Sequence, residues 1–104
     1  MDTEIRLVRM YLSEADQGRR KNLMQEILKV LHDQHRVRGV TVFRGIAGFG
    51  DTGEFHAADV LRIMVDLPLV IEFYDTPEVV EAVLAVVGGM VPKGRIVCWN
   101  ASCR

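Results

Sequence analysis

The sequence predicts an α+β domain with the ferredoxin-like order βαββαβ: a four-stranded antiparallel sheet with two helices on one face. Two observations predict it. Strand and helix patterns follow one another in that order, and no linker or low-complexity segment interrupts them. A length of 104 residues suits one hydrophobic core, so we expect a single domain covering residues 1–104.

The first part of the chain predicts a strand followed by a helix. Residues 5–12 mix β-branched, aromatic and charged side chains, which is typical of a strand. Apolar residues then recur at helical spacing from Leu23 to about His35, which predicts an amphipathic helix. A basic cluster at residues 19–21 opens this pattern and is either solvated or an anion contact. His32 and His35 lie three apart on this helix, but no third ligand is apparent and no metal site is predicted.

The rest of the chain predicts two strands, a helix and a last strand. The second strand covers residues 40–46, a short loop covers 51–58, and strand character returns at 60–65 and 69–74. Pro68 interrupts this run, so a bulge or an edge strand is expected there. Thr76 followed by Pro77 predicts a capped helix that ends at residues 88–89. A turn at residues 90–94 leads into a last strand, residues 95–99.

Residues 44–53 contain four glycines, Gly45, Gly48, Gly50 and Gly53. Glycine weakens a strand, so this cluster indicates a tight turn or a close approach of the backbone to another group. It is not a P-loop, because no Gly-Lys-Ser/Thr follows. The glycines by themselves leave a flexible hairpin tip and a ligand cradle equally open.

Charge and hydropathy restrict the partners and the location. The formal net charge is -1 and the sequence pI is near 6.3, so we expect no nucleic-acid partner. The acidic N-terminus is unlike a secretory signal, and the apolar run at residues 82–87 is too short to span a bilayer. A cytoplasmic location is therefore expected. Apolar residues occupy both alternating faces of residues 40–46 and 69–74, which predicts that the second sheet face is buried in an oligomer.

Several segments resemble family 190 of the domains of unknown function, which belongs to the PII-like signalling group. The segments are Arg9-Met10-Tyr11-Leu12-Ser13-Glu14, Arg44-Gly45-Ile46-Ala47-Gly48-Phe49-Gly50, His56, Leu61-Arg62, Asp66-Leu67-Pro68 and Val70-Ile71-Glu72. The resemblance covers nearly the whole chain, and the glycine-rich run is its most specific part. It implies a homotrimer that binds small effectors in clefts between subunits.

The resemblance also implies the site. Gly48-Phe49-Gly50 matches the segment that lines the nucleotide cleft in PII-like proteins, and the turn at residues 94–97 matches one that contacts phosphates. The ligand-binding residues expected on this basis are Arg44, Gly45, Gly48, Phe49, Gly50, His56, Lys93, Gly94 and Arg95. An ion pair of Arg44 with Glu72 and a core position for Phe49 are the structural alternatives.

Two features depart from the PII pattern, and a third, the cysteine pair, resembles some of its members. The loop after the second strand is expected to be only about eight residues long, and it carries no tyrosine for modification. Only Arg104 remains of the C-terminal arginine pair, so an effector with fewer phosphates than ATP, such as AMP or ADP, is expected. Cys98 and Cys103 resemble a C-terminal redox pair. The favoured interpretation is two reduced thiols, with Cys98 buried in a strand and Cys103 in a frayed end.

These features predict a non-enzymatic regulatory protein that binds an adenine nucleotide or a similar small anion between subunits and needs no cofactor. A membrane transporter or an enzyme is the expected kind of target. One alternative is a small enzyme acting on a nucleotide with His56 as acid or base. Another is a purely structural trimerising module.

Overall fold

The computed structural model describes residues 2–16, 18, 22–35, 37–49, 55–57 and 67–104, with residues 35 and 55–57 described by their backbone. The elements are β1 (Thr3–Ser13), α1 (Leu23–Lys29) continued by a π-helical segment (Val30–His35), β2 (Gly39–Arg44), β3 (Ala47–Phe49), β4 (Phe55–Ala57), β5 (Pro68–Asp75), α2 (Pro77–Val87) and β6 (Ile96–Cys103). The expected strand at residues 60–65 and the basic cluster at 19–21 lie outside the described residues.

The main sheet has the strand order β2-β5-β1-β6, and every neighbouring pair is antiparallel. β1 and β5 are its central strands, while β2 and β6 form its edges. β3 and β4 pair separately as a two-stranded ribbon. The predicted ferredoxin-like α+β fold is confirmed.

The helices cover one face of the sheet and form the core with it. Alternate residues of the two central strands point toward the helices and are buried. The core consists of Val8, Met10, Leu12, Leu23, Ile27, Leu31, Leu69, Ile71, Phe73, Val80, Val83, Val87 and Val91. Burial of this apolar surface is the main force that holds the helices against the sheet.

Each helix begins at a side-chain cap. The Asn22 side chain accepts a hydrogen bond of 2.9 Å from the N–H of Gln25, which starts α1. The Thr76 hydroxyl accepts from the N–H of Val79 at 3.4 Å, and Pro77 follows as the first helical residue of α2. The predicted cap of the second helix is therefore confirmed. Gly88 ends that helix, with its N–H bonded to the Leu84 carbonyl at 2.9 Å.

The opposite face of the sheet, which we call the open face, carries large apolar side chains with no helix over them. Register places Tyr11, Phe43, Val97 and Trp99 on this face, and each is 40–49% exposed. In the middle of the face the Arg9 Nε donates to Glu72 at 3.1 Å, and the Arg9 guanidinium lies 5.6 Å from the Trp99 ring centroid. The Tyr11 side chain and Glu72 together raise the pKa of Arg9.

Three expectations about the strands are wrong. Pro68 marks neither a bulge nor an edge strand, because it is the first residue of β5, which lies inside the sheet and pairs with β1 in continuous register. Starting a strand at proline leaves the rest of its N–H groups free for the ladder. Residues 55–57, expected to lie in a short loop, form strand β4 instead. The expected loop length of about eight residues depends on a strand at 60–65, which lies outside the described residues, and the sequence from Gly48 to Ala58 contains no tyrosine.

The third error concerns the last strand, which extends to Cys103 instead of ending at Trp99. Its polar residues suggested a frayed tail, but pairing with β1 supplies their backbone hydrogen bonds. Cys98 and Cys103 lie five residues apart on this extended strand, so they point to opposite faces about 16 Å apart along it. Both thiols are free, and Cys98 is exposed instead of buried as expected, because β6 is an edge strand. A disulfide between the two cysteines would require β6 to leave the sheet.

Candidate ligand site at one end of the sheet

The antiparallel topology gathers most of the predicted ligand residues at one end of the main sheet. β1 ends at Ser13 and β2 ends at Arg44, where β5 begins at Pro68 and β6 follows Arg95. The Tyr11 N–H donates to the Arg95 carbonyl at 2.9 Å, which fixes the entry into β6. The glycine-rich segment after β2 and the turn before β6 therefore lie at the same end, which we call the ligand end.

Arg44 is held at this end by a carboxylate from the β1–α1 turn. Its Nε donates to Glu14 Oε1. The Glu14 side chain is 20% exposed and that of Arg44 is 60% exposed, so the pair sits at the rim. This hydrogen bond raises the pKa of Arg44 and keeps the guanidinium charged. The expected ion pair of Arg44 with Glu72 is wrong, because Glu72 bonds to Arg9 on the open face.

Arg95 is held by a second carboxylate of the same turn. Its Nη1 donates to Asp16 Oδ2 at 3.1 Å, and the N–H of Ser13 donates to the same oxygen at 2.8 Å. Both partners are mostly buried, with 29% and 27% of their side chains exposed. Asp16 therefore fixes the conformation of the β1–α1 turn as well as the direction of Arg95.

The two carboxylates lie between two cations that come from opposite edges of the sheet. Arg44 ends β2 and Arg95 precedes β6, and three strand spacings, about 14 Å, separate these edges. Neither Glu14 nor Asp16 was identified from the sequence. The available signal was weak: two acids in a polar turn directly after a strand that enters the sheet centre.

Two of the four glycines are explained by contact with Pro68. A Cβ atom on Gly45 would lie 3.1 Å from the Pro68 Cβ, and one on Gly48 would lie 3.1 Å from the Pro68 Cγ. The Gly45 N–H also donates to the Pro68 carbonyl at 2.7 Å. Glycine therefore lets the segment after β2 cross closely over the start of β5.

The segment then forms the β3–β4 ribbon instead of the simple loop that was expected. Gly48 lies opposite His56 in its register, and Phe49 lies opposite Phe55. The Phe49 side chain is 71% exposed, so it is not a core residue within this chain. Gly50, Gly53 and the side chain of His56 lie outside the described residues.

The turn before β6 presents the remaining predicted residues. Gly94 has φ +84°, a conformation that residues with a Cβ rarely adopt, and a Cβ there would meet no heavy atom within 4 Å. Lys93 precedes it and is exposed. The turn thus places a lysine and an arginine on either side of an uncovered glycine backbone.

A separate groove of about 810 Å³ lies away from the ligand end. It runs between α1 and the first part of β2 and is lined by Leu28, Leu31, His32, Val37, Arg38, Gly39, Val40 and Val42. None of the predicted ligand residues lines it.

A family model decides the relationship: the DUF190 model, described as "Uncharacterized ACR", matches residues 5–103. The chain belongs to the DUF190 family. It is also similar to UPF0166 protein MJ1524 of Methanocaldococcus jannaschii, with 35% identity over 81 residues, 76% of this chain and 71% of that protein. A UPF0166 protein of Aquifex aeolicus is 36% identical over 72 residues, 69% of this chain and 68% of that protein. This DUF190 membership agrees with the resemblance noted in the sequence.

Solved structures confirm the PII-like fold of this DUF190 chain. CPII of Thiomonas intermedia K12, bound to ADP and bicarbonate, has a TM-score of 0.70 at 14% identity, covering 99% of this chain and 91% of that one. CPII bound to ADP, AMP and bicarbonate has a TM-score of 0.69 at 15% identity over the same shares. The divalent ion tolerance protein CutA1 of Ehrlichia chaffeensis has a TM-score of 0.58 at 12% identity, covering 95% and 80%. Among the described helices, none is long and apolar enough to cross a membrane.

Proposed function

We propose that this DUF190 protein is a non-enzymatic PII-like regulator that binds an adenine nucleotide at the ligand end of its sheet. The observation that carries the proposal is the convergence of Arg44 and of the Lys93-Gly94-Arg95 turn on that end, next to the glycine backbone of residues 45–48. Guanidinium and ammonium groups suit phosphate oxygens, and no side chain in the described part of the chain covers the Gly94 backbone between Lys93 and Arg95.

The CPII complexes support an adenine nucleotide as the anion. CPII has the same fold and is bound to ADP in one structure and to ADP and AMP in another. The exposed Phe49 ring supports the same choice, because an aromatic face near bound phosphates can stack on a purine base. CPII is also bound to bicarbonate, so bicarbonate belongs among the candidate co-effectors.

The site is proposed to be completed between copies of the chain. Arg44 and Arg95 come from opposite edges of one sheet, too far apart to share one phosphate group within a chain. A neighbouring copy would bring its own turn against the glycine-rich segment. The apolar open face, with Phe43, Val97 and Trp99 exposed, is the surface proposed for this association, most simply as a trimer.

Calorimetric titration of the purified protein with AMP, ADP, ATP, cyclic AMP and adenosine tests this proposal. We expect saturable binding of at least one phosphorylated nucleotide, and weaker binding of adenosine because it lacks the phosphate. The same samples, incubated and analysed for nucleotide breakdown, test the catalytic alternative. Absence of binding by every nucleotide would refute the proposal, and turnover abolished by His56→Ala would replace it with an enzyme.

A further inference from the structure

We propose that Glu14 and Asp16 set how much negative charge the ligand end accepts, so that the site favours a nucleotide with few phosphates. The inference deepens the proposed function and rests on it for the identity of the nucleotide. Its starting point is that both arginines described at the ligand end, Arg44 and Arg95, already have a carboxylate partner, and both carboxylates come from the β1–α1 turn.

Charge counting at the ligand end gives the direction of the effect. Counted over the described residues of the site proposed to form between copies, Arg44, Lys93 and Arg95 supply three positive charges, and Glu14 and Asp16 supply two negative ones, which leaves a net charge of plus one. Each further phosphate adds negative charge close to the same two carboxylates. A ligand with three phosphates therefore gains attraction to the cations but also meets repulsion from Glu14 and Asp16.

Partial burial of Glu14 and Asp16 keeps their repulsion of a bound phosphate strong. Glu14 and Asp16 have only 20% and 27% of their side chains exposed, so water and salt screen them less than they screen fully exposed acids. Asp16 is also fixed by the Ser13 N–H at 2.8 Å and cannot swing away without breaking the turn. The carboxylates consequently remain beside the arginines when an anion arrives.

The arrangement differs from that of two ion pairs elsewhere in the chain. The Arg6–Glu81 pair, at 2.5 Å, joins β1 to α2 on the helix side, and the Arg9–Glu72 pair lies in the open face. Neither lies at the ligand end. Neutralising Glu81 removes the same charge from the chain without changing the proposed site, which makes Glu81→Gln a matched control.

The test compares Glu14→Gln and Asp16→Asn with wild type and with Glu81→Gln. Both amides keep the shape and an acceptor oxygen for the existing donors, and circular dichroism with thermal unfolding checks that the variants fold. Each protein is titrated at constant ionic strength without divalent cations, first with AMP, ADP and ATP, then with phosphate, pyrophosphate and tripolyphosphate. The second series contains no adenine, so it tests charge selection even where a nucleotide does not bind.

We expect Glu14→Gln and Asp16→Asn to raise the ratio of ATP to AMP affinity, and of tripolyphosphate to phosphate affinity, by about fivefold or more. Glu81→Gln should leave both ratios unchanged. Equal changes for all ligands, or no binding of any polyphosphate, would overturn the inference. If polyphosphate selection shifts while no nucleotide binds, the inference stands and the nucleotide proposal fails. If wild type binds nucleotides and the ratios do not move, only the inference fails.

Discussion

The Asp75 carboxylate joins the last residue of β5 to the segment that enters β2. Its Oδ2 accepts from the backbone N–H of Arg38 at 3.1 Å, and its Oδ1 accepts from the N–H of Thr76 at 2.7 Å. Asp75 is only 7% exposed. Its Oδ1 lies 3.8 Å from the Arg38 Nε, so it also faces a positive charge. The acid is therefore retained in a buried position because it satisfies two backbone donors.

Asp75→Asn should lower the free energy of unfolding by about 1–3 kcal/mol, because the amide can satisfy only one of the two donors. Urea unfolding followed by circular dichroism, at one fixed protein concentration, measures this. Asp2→Asn is the control, since Asp2 is half exposed and its ion pair with Arg104 is 3.7 Å long. A loss at Asp75 no larger than that at Asp2 would show that the two hydrogen bonds contribute little.

Core packing between the sheet and the helices predicts a second stability difference. Ile71 is fully buried beneath the helices, whereas Ile46 is 79% exposed. Ile71→Val should cost about 0.5–1.5 kcal/mol through the methyl group lost from the core, and Ile46→Val should change stability by less than about 0.5 kcal/mol. The same urea experiment compares them. Equal effects at the two positions would contradict the burial assigned to β5.

The backbone of the turn before β6 predicts a combined change in stability and binding. Gly94→Ala places a Cβ at φ +84° and should cost about 1 kcal/mol. ADP affinity should fall as well, because Lys93 and Arg95 flank this residue. Gly89→Ala is the matched control, since its Cβ would meet only the Val86 carbonyl at an ordinary 3.8 Å. Unchanged unfolding and unchanged ADP binding in Gly94→Ala would argue against the turn conformation.

The open face predicts that a single charge will disrupt self-association. Val97 and Val86 are both valines of similar exposure, 47% and 41%, but Val97 lies on the open face and Val86 lies on α2. Light scattering during size-exclusion chromatography should show an oligomer for wild type and for Val86→Glu, and a smaller mass for Val97→Glu. If Val97→Glu remained an oligomer and Val86→Glu dissociated, the interface would lie on the helix side and not on the open face.

Local sequence signals were sufficient for most of the fold. The Thr76-Pro77 cap and the helical spacing from Leu23 identified both helices, because these signals depend on residues close together in the chain. The length of β6 could not be predicted in this way. Its polar end is ordered by pairing with β1, a partner more than eighty residues away in sequence.

Contacts between segments distant in the sequence limited the prediction of the candidate site even more. The family resemblance identified Arg44 and the Lys93-Gly94-Arg95 turn, and the topology brings both to one end of the sheet. The sequence could not show that Glu14 and Asp16 lie between them, because these contacts join segments distant in the chain. The role of Gly45 and Gly48 was equally hidden, since their close neighbour, Pro68, is separated from them by a long connection.

Calorimetric titration with ADP of wild type, Arg95→Gln and Arg6→Gln tests the central claim most directly. Arg95 lies at the ligand end, whereas Arg6 pairs with Glu81 and Asn100 on the helix side of the sheet. Wild type and Arg6→Gln should bind ADP alike, and Arg95→Gln should bind about tenfold or more weakly, because a charge-assisted contact to phosphate is lost. Equal ADP affinity in Arg95→Gln and wild type would contradict the assignment of the nucleotide to this end of the sheet.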